Sequence, residues 1–159
     1  MATIKEVPAS MHEPEHRIRF KAQDPAWEFV TVSGHADINT LEVWGTADDV
    51  WEEYEVHMWI GPWWRDVRDV VPSISIDAWD NPNADEDDWQ GYYIKNLIWA
   101  TDGEGAPPSS NEVRVRLEFL IGIRGENSYL RAFGYRATMA GRALGAGGVN
   151  QPGPTFQGP

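Results

Sequence analysis

The chain has 159 residues, no cysteine and a formal net charge of −12, so we expect a single domain that is large enough for a substantial core. The lack of cysteine excludes disulfides, thiol nucleophiles and thiolate metal sites. The acidic balance argues against nucleic acid and anionic membranes as partners, and no apolar run approaches the ~18 residues that suggest a membrane span.

Residues 1–16 contain two prolines and no hydrophobic periodicity, which predicts an extended N-terminal arm. They lack the apolar stretch of a signal peptide, so we expect the protein in the cytoplasm or in a particle assembled there. Within this arm, His12-Glu13-Pro14-Glu15-His16 has the letters of the zinc-protease pattern H-E-x-x-H. That pattern works on a helix, whose interior Pro14 would disrupt, so we assign no zinc site to it.

Eight segments between residues 17 and 142 have the apolar alternation or the β-branched and aromatic content of strands. They are 17–21, 27–32, 36–44, 50–60, 73–79, 89–101, 113–123 and 128–141. Turn-forming residues separate these segments at intervals of 8–15 positions. The pattern predicts one all-β domain over 17–142, either an antiparallel sandwich (jelly-roll-like) or a closed barrel of about eight strands.

One short helix is predicted over 61–72. Pro62 suits a first helical position, and Pro72 would end the helix. Between them Trp63, Val67 and Val70 would share one helical face.

The last two strand segments are predicted to form one long hairpin. Gly125-Glu126-Asn127 fits a three-residue loop, because the third position usually has positive φ, which Asn tolerates. The loop sets a register that gathers the apolar residues on one face. The opposed pairs are Val115–Ala137, Leu117–Tyr135, Phe119–Phe133 and Ile123–Tyr129. On the other face Arg116 would oppose Arg136, and small residues would let another sheet or subunit approach closely: Gly122, Ala132 and Gly134.

The charge is distributed unevenly along the chain. Residues 35–104 hold 17 acidic and three basic residues, whereas residues 112–142 hold three acidic residues and six arginines. Either the arginines pair with carboxylates of the same subunit, or a basic face of one subunit packs against an acidic face of the next. For the second interpretation the candidate interface residues are Arg114, Arg116, Arg131, Arg136, Gly122 and Gly134.

Residues 143–159 are rich in glycine and proline, and they are predicted to be a flexible C-terminal tail. Contact with a neighbouring subunit is the usual way in which such a tail, or the N-terminal arm, becomes ordered.

Nine tryptophans are present, and core filling is the simplest explanation for most of them. Trp44, Trp89 and Trp99 suit that explanation. Five others share a face or a segment with charged residues and are candidates for stacking on a ligand such as a glycan: Trp51, Trp59, Trp63, Trp64 and Trp79.

The acidic loop 81–88 places side-chain oxygens at alternate positions, so Asn83, Asp85 and Asp87 are candidates for an irregular calcium site. The EF-hand spacing fails, because Glu86 occupies the position that requires glycine. A solvated acidic turn is the simpler interpretation, and no cofactor is predicted. The four histidines are scattered, and no phosphate-binding loop or nucleophile motif is present, which favours a non-enzymatic role.

Three functions remain open from the sequence. The first is a non-enzymatic structural subunit of a ring, tube, shell or virion. This subunit would form a homo-oligomer or a larger protein assembly through the basic hairpin face, the acidic face and the extended termini. The second is a carbohydrate-binding β-sandwich that uses exposed tryptophans. The third is a β-barrel that binds or transforms a hydrophobic small molecule in an aromatic cavity.

Overall fold

A computed structural model of the chain describes residues 2–7, 15–21, 27–38, 41–80, 91–106, 110–143 and 155–156. These residues form eight β-strands, which confirms the predicted all-β fold. The strands are β1 (Thr3–Val7), β2 (His16–Lys21), β3 (Trp27–Asp37), β4 (Glu52–Asp80), β5 (Gly91–Asp102), β6 (Val113–Arg124), β7 (Tyr129–Ala143) and β8 (Thr155–Phe156). None of the described residues belongs to a helix with the length and apolar character needed to cross a membrane.

Strand β4 organises the fold, because it is 29 residues long and changes partners along its length. Its first part, 52–60, pairs antiparallel with β6 and parallel with β1. Its second part, 64–80, pairs antiparallel with β7. The sheet therefore folds over into two layers that share β4. The strand order is β5-β6-β4-β1 in the first layer and β4-β7-β3-β2-β8 in the second.

The core lies between the two layers and receives alternate side chains from β3, β4, β6 and β7. Its largest fully buried side chains include Trp64, Phe119 and Phe133. Phe119 comes from the first layer and Phe133 from the second, so their contact joins the layers across the core. Burial of such aromatic side chains is a major source of stability in a sandwich.

A buried polar network fixes the point where β4 passes from one layer to the other. Gly61 has a φ of 73° there, a conformation that favours glycine. Its N–H donates to the carboxylate of Glu15 at 3.0 and 3.2 Å. The same carboxylate accepts from the Tyr135 hydroxyl at 2.6 Å and from Arg17 Nε at 2.7 Å. The Gly61 carbonyl in turn accepts from Arg17 and Arg114, both at 3.1 Å.

The predicted hairpin is wrong, although its turn is right. Asn127 has a φ of 60°, and the Ser128 N–H donates to the Gly125 carbonyl at 3.1 Å, as a tight turn requires. However, β6 pairs with β4 and β5, whereas β7 pairs with β4 and β3. The two strands therefore form an arch whose apolar faces meet across the core. Arg116 lies beside Trp59, and Arg136 lies beside Ser73, so the two arginines do not oppose each other.

The predicted helix over 61–72 is also wrong, because these residues belong to β4. Trp64 and Val70 are buried and Val67 packs against the core, so the inward residues are three apart. The pairing with β7 shifts register between Trp64 and Asp66 and again between Val67 and Asp69. Each β-bulge inserts one extra residue, which turns the strand period of two into a spacing that imitates a helix.

The predicted strand 36–44 is wrong for most of its length, because β3 ends at Asp37. Beyond β3, the Ile38 carbonyl accepts from the Leu41 N–H at 2.9 Å. The chain then runs beside the β6–β7 connection, where Trp44 makes one isolated bridge to Tyr129.

Two strands fall in segments that were predicted as an arm and a tail. β1 lies within 1–16, and β8 lies within 143–159, where it pairs in parallel with Arg19 and Phe20 of β2. The predicted calcium ligands Asn83, Asp85 and Asp87 lie outside the described residues, as does Trp89.

Candidate functional site

The outer face of the first layer carries charged and aromatic side chains on three neighbouring strands. Strand pairing aligns Ala100, Arg116 and Trp59 in one row across β5, β6 and β4. The next row along the strands contains Ile98, Glu118 and His57. Because outward side chains repeat every two residues, these rows bring chemically active groups together on a rigid surface.

Arginine side chains lie over four of the described tryptophans. The distances from the guanidinium carbon to the ring centroid are 4.1 Å for Arg68–Trp27, 5.5 Å for Arg142–Trp27, 5.0 Å for Arg124–Trp51, 5.9 Å for Arg116–Trp59 and 6.0 Å for Arg114–Trp63. A planar guanidinium stacks on an aromatic face better than an ammonium does. These pairs give a physical reason why the positive side chains beside these tryptophans are arginines and not lysines.

The five tryptophans predicted to stack on a ligand have different environments. Trp64 is only 1% exposed, so its prediction as a surface residue is wrong. Trp59 is also buried and donates its indole N–H to Asp102 at 3.0 Å. Trp51 packs against Tyr93, with ring centroids 4.8 Å apart. Trp63 lies below Arg114 and is half-buried. The side chain of Trp79 lies outside the described residues.

Two of the predicted interface arginines are engaged within the chain. Arg116 pairs with Asp102 at 2.9 Å and with Glu118 at 2.6 Å. The hydrogen bond with Glu118 raises the pKa of Arg116. Arg114 binds the Gly61 carbonyl, and burial lowers the pKa of its guanidinium. For these two residues the structure favours pairing within the subunit.

The other four predicted interface residues lie at separate places. Arg131 and Arg136 are exposed on the outer face of β7. Gly122 and Gly134 do create close approaches, but side chains of the same chain fill them. The Tyr93 ring lies over Gly122, and Asp77 with Ser75 lies over Gly134.

A polar network beside Trp51 joins β4 to β5. Lys95 pairs with Glu53 at 2.7 Å, and the Tyr93 hydroxyl donates to the same carboxylate. The hydrogen bond from Lys95, followed by that from Tyr93, lowers the pKa of Glu53. The same contacts with Glu53 raise the pKa values of Tyr93 and Lys95. All three groups are therefore held in the protonation states that they have at neutral pH.

Glu55, His57 and Glu118 form a compact group on the same outer face. One potential ligand atom from each residue lies within 4.8 Å of the other two. His57 Nε2 is 2.8 Å from Glu55 Oε1, and Glu118 is the direct strand partner of His57. The sequence alone does not reveal this group, because its third member lies 61 positions after His57 and joins it only through the β4–β6 register. The alternation Glu55-Val56-His57 was the only local signal.

The outer face of the second layer has a different character, because four of its outward side chains are large, apolar and exposed, with threonine and alanine between them. Strand pairing aligns Phe20 with Phe29 and then Ala140, and it aligns Ile18 with Thr31, Thr138 and Val71. The exposed fractions are 37% for Ile18, 40% for Phe20, 47% for Phe29 and 67% for Val71. We call these four side chains the apolar patch.

Polar side chains lie at both ends of the apolar patch along the strand direction and form a polar rim. At one end Arg142 lies 3.7 Å from Asp66, and at the other end Arg136 lies between Ser33 and Ser73. An apolar centre with a polar rim is the usual anatomy of a protein interface. The sequence places Phe20 and Phe29 in strands, but it does not show which face of the sheet each one occupies, so the patch could not be predicted from it.

No family model, curated protein or solved structure matches this chain.

Proposed function

We propose that the chain is a non-enzymatic assembly subunit, of the kind that builds a ring, tube, shell or virion. Copies associate through the outer face of the second layer, with the apolar patch at the centre of the contact. The exposure of Phe29 and Val71 is the observation that carries this proposal. Large apolar side chains grouped on one sheet face are costly to leave in water, and such patches mark association surfaces.

The shape of the surface supports contact with another flat surface. Four strands, β2, β3, β7 and the second part of β4, lie side by side under the patch. The side chains between the apolar groups are short, namely Thr31, Thr138 and Ala140. Two such faces can pack as sheets pack within a sandwich, at a separation of about 10 Å.

The rim supports association between identical copies. It carries both signs of charge on the same face, with Arg136 and Arg142 positive and Asp66 and Asp69 negative. A two-fold contact requires a surface that is complementary to itself, and a mixed rim satisfies that requirement. Such a contact joins copies in pairs, so a ring, tube or shell requires a second contact, for which the extended termini are the predicted candidates. The apolar patch with its rim replaces the Arg-rich hairpin face as the centre of the proposed contact, because Arg114 and Arg116 are engaged within the chain.

The test is light scattering after size exclusion on the full-length chain, on Val71→Lys and on Phe29→Lys, at low and moderate salt. We expect an oligomer for the unaltered chain and a smaller species for both variants, since a buried lysine without a partner opposes association. Ile98→Lys is the matched control: Ile98 is 54% exposed on the outer face of the first layer, so this variant should keep the oligomer. Circular dichroism confirms that all variants fold.

Two outcomes would refute the proposal. One is an unaltered chain that stays monomeric at high concentration at both salt levels. The other is an oligomer that Val71→Lys and Phe29→Lys leave intact while Ile98→Lys disrupts it. The clasping of neighbours by the termini stays a prediction, and deletion of residues 144–159 tests it in the same assay.

The two alternative functions have less support. A glycan platform requires an accessible tryptophan face. Trp59 is buried and an arginine lies over Trp63, so the best remaining candidate is Trp51, which is 39% exposed but has Arg124 over its ring. A hydrophobic ligand cavity requires space between the layers, where Phe119 and Phe133 are in direct contact. Glycan-array binding by the full-length chain, which Trp51→Ala abolishes, would revive the first alternative.

A further inference from the structure

We infer that Glu55, His57 and Glu118 form a binding site for a divalent transition-metal ion on the outer face of the first layer. One imidazole nitrogen and two carboxylate oxygens already lie within 4.8 Å of one another. Zn²⁺ binds this combination of ligands in proteins, with three protein groups and an open position for water. The site faces away from the apolar patch, so it is independent of the proposed function.

The backbone holds the three ligands in place. Glu55 and His57 are two residues apart on β4, so their side chains leave the same face of the strand. Glu118 is the partner of His57 in the β4–β6 register, and directly opposed side chains on a sheet have Cβ atoms about 4.5–5.5 Å apart. β4 and β6 are both interior strands of the layer, flanked by β1 and β5. Ion binding would therefore require small side-chain movements and no rearrangement of the sheet.

The distance between two of the three ligands is close to that in a coordinated pair. His57 Nε2 and Glu55 Oε1 are 2.8 Å apart as a hydrogen-bonded pair. Two ligands at about 2.0–2.2 Å from a tetrahedral Zn²⁺ are roughly 3.4 Å apart. The pair must separate by about 0.6 Å for an ion to replace the shared proton.

Arg116 orients the third ligand. Its Nε and one terminal nitrogen donate to Glu118 Oε1 at 2.9 and 2.6 Å. Both bonds end on Oε1, so we expect Oε2 of Glu118 to be the coordinating atom. Hydrogen bonds to a ligating carboxylate from outside the site are a regular feature of metal centres. The guanidinium also pairs with Asp102, so one positive charge is shared by two carboxylates and the site keeps a negative balance.

The ligand set selects among metal ions. A neutral imidazole and two carboxylates suit Zn²⁺ and its neighbours in the first transition row. Calcium requires six to eight oxygens, and magnesium requires an octahedral oxygen shell with several waters. We therefore expect Zn²⁺ to bind in the presence of excess Ca²⁺ or Mg²⁺.

The test is calorimetric titration of the full-length chain with ZnCl₂ in buffer that contains millimolar MgCl₂. We expect one site per chain, with an affinity that falls at least about tenfold in His57→Gln and in Glu118→Gln, because each loses one of three ligands. Glu53→Gln is the matched control, since Glu53 lies on the same face of the same strand and binds Lys95 instead. His35→Gln is a second control, because His35 pairs with Asp77 at 2.8 Å on the other layer and is the alternative place for zinc.

Histidine side-chain NMR spectra supply a second measurement that does not depend on affinity. Zinc should shift the ring signals of His57 first among the four histidines, at one equivalent of metal. Three results would overturn the inference: no binding to the unaltered chain below about 1 mM, equal affinity in His57→Gln, or a loss of affinity in His35→Gln instead. Thermal unfolding of each variant without metal shows whether the substitution alone disturbs the fold.

Discussion

Phe119 of β6 and Phe133 of β7 meet edge to face, with ring centroids 5.5 Å apart and ring planes at 88°. Both side chains are fully buried, and they come from opposite layers. A hairpin would place the same two residues side by side in one sheet. The arch instead sets them against each other across the core, so one pair of aromatic residues is compatible with two topologies.

Engineered cysteines distinguish these two topologies, because the chain has no cysteine of its own. Ser73 and Arg136 are strand partners in the β4–β7 register, so their Cα atoms lie at about 4.5–5.5 Å, within the range of a disulfide. We expect Ser73→Cys with Arg136→Cys to oxidise readily. Arg116→Cys with Arg136→Cys should keep both thiols free, because these positions face outward on opposite layers. Thiol titration after mild oxidation measures the free thiols of both double variants. Rapid formation of a disulfide between positions 116 and 136 would support the hairpin.

Phe133→Ala should reduce the free energy of unfolding by about 3–5 kcal/mol, because it leaves a cavity in the core. Urea denaturation with two-state fitting measures the change. Ile98→Ala is the comparison, since Ile98 is exposed on the outer face and its truncation should cost less than about 1 kcal/mol. Equal costs for the two variants would contradict the placement of Phe133 between the layers.

Gly61→Ala should destabilise the chain more than Gly105→Ala does. The two glycines have nearly equal φ values, 73° and 76°, so both substitutions carry the cost of a left-handed backbone, about 1 kcal/mol. A Cβ at Gly61 would also lie 2.6 Å from the Met139 methyl group, whereas a Cβ at Gly105 would meet nothing within 4 Å. The Met139 methyl is the end of a flexible side chain, but Met139 is fully buried, so overpacking should add about 1 kcal/mol, the low end of the usual range. The difference in unfolding free energy between the two variants measures the cost of the contact between the new Cβ and Met139. A difference near zero would show that this contact costs nothing.

Tyr135 should make stability depend on alkaline pH. Burial, followed by the negative charge of Glu15, raises the pKa of its hydroxyl above the ordinary value of about 10. The folded chain therefore keeps this proton at a pH where the unfolded chain loses it. The stability contributed by Tyr135 is complete below pH ~10 and is lost as the pH rises further, by up to about 1.4 kcal/mol per pH unit.

Tyr135→Phe supplies the control for this titration, because it removes the ionisable group and keeps the ring. We expect the variant to be less stable than the unaltered chain at pH 9, by about 1–3 kcal/mol for a hydrogen bond to a charged group. The gap should narrow by pH 11. Urea denaturation at both pH values measures it, and parallel pH profiles would show that the Tyr135 proton is not held by Glu15.

The sequence predicts local structure well here and long-range pairing poorly. Alternation identified the buried faces of β6 and β7, and the positive φ of Asn127 was anticipated from its place in the turn. Neither observation contains information on which strand lies beside which. The first part of β4 pairs with β6 and its second part pairs with β7. β4 therefore occupies the strand edges through which β6 and β7 would pair with each other in a hairpin. The bulges after Trp64 and Val67 hid the strand period, since they change the spacing of inward residues to three.

The candidate sites also depend on long-range strand pairing, which the sequence predicts poorly. Surface tryptophans were proposed from their charged neighbours along the chain, but Arg116 and Arg124 reach Trp59 and Trp51 from adjacent strands. Glu118 joins His57 only through the register of β4 with β6. The exposure of Phe29 depends on which face of β3 the second layer buries. None of these features can be predicted without knowledge of which strands are neighbours in the sheet.

Strand β4 has a consequence for synthesis of the protein on the ribosome. It is complete at Asp80, but its long antiparallel partners begin only at Val113 and Tyr129. At roughly 5–20 residues per second, some seconds pass before both partners have been translated. During that interval the edges of β4 are exposed to other nascent chains, and unpaired strand edges readily aggregate. Pro62, Pro72 and the aspartates of its second part then act as gatekeepers, because prolines and charges oppose pairing with a foreign strand.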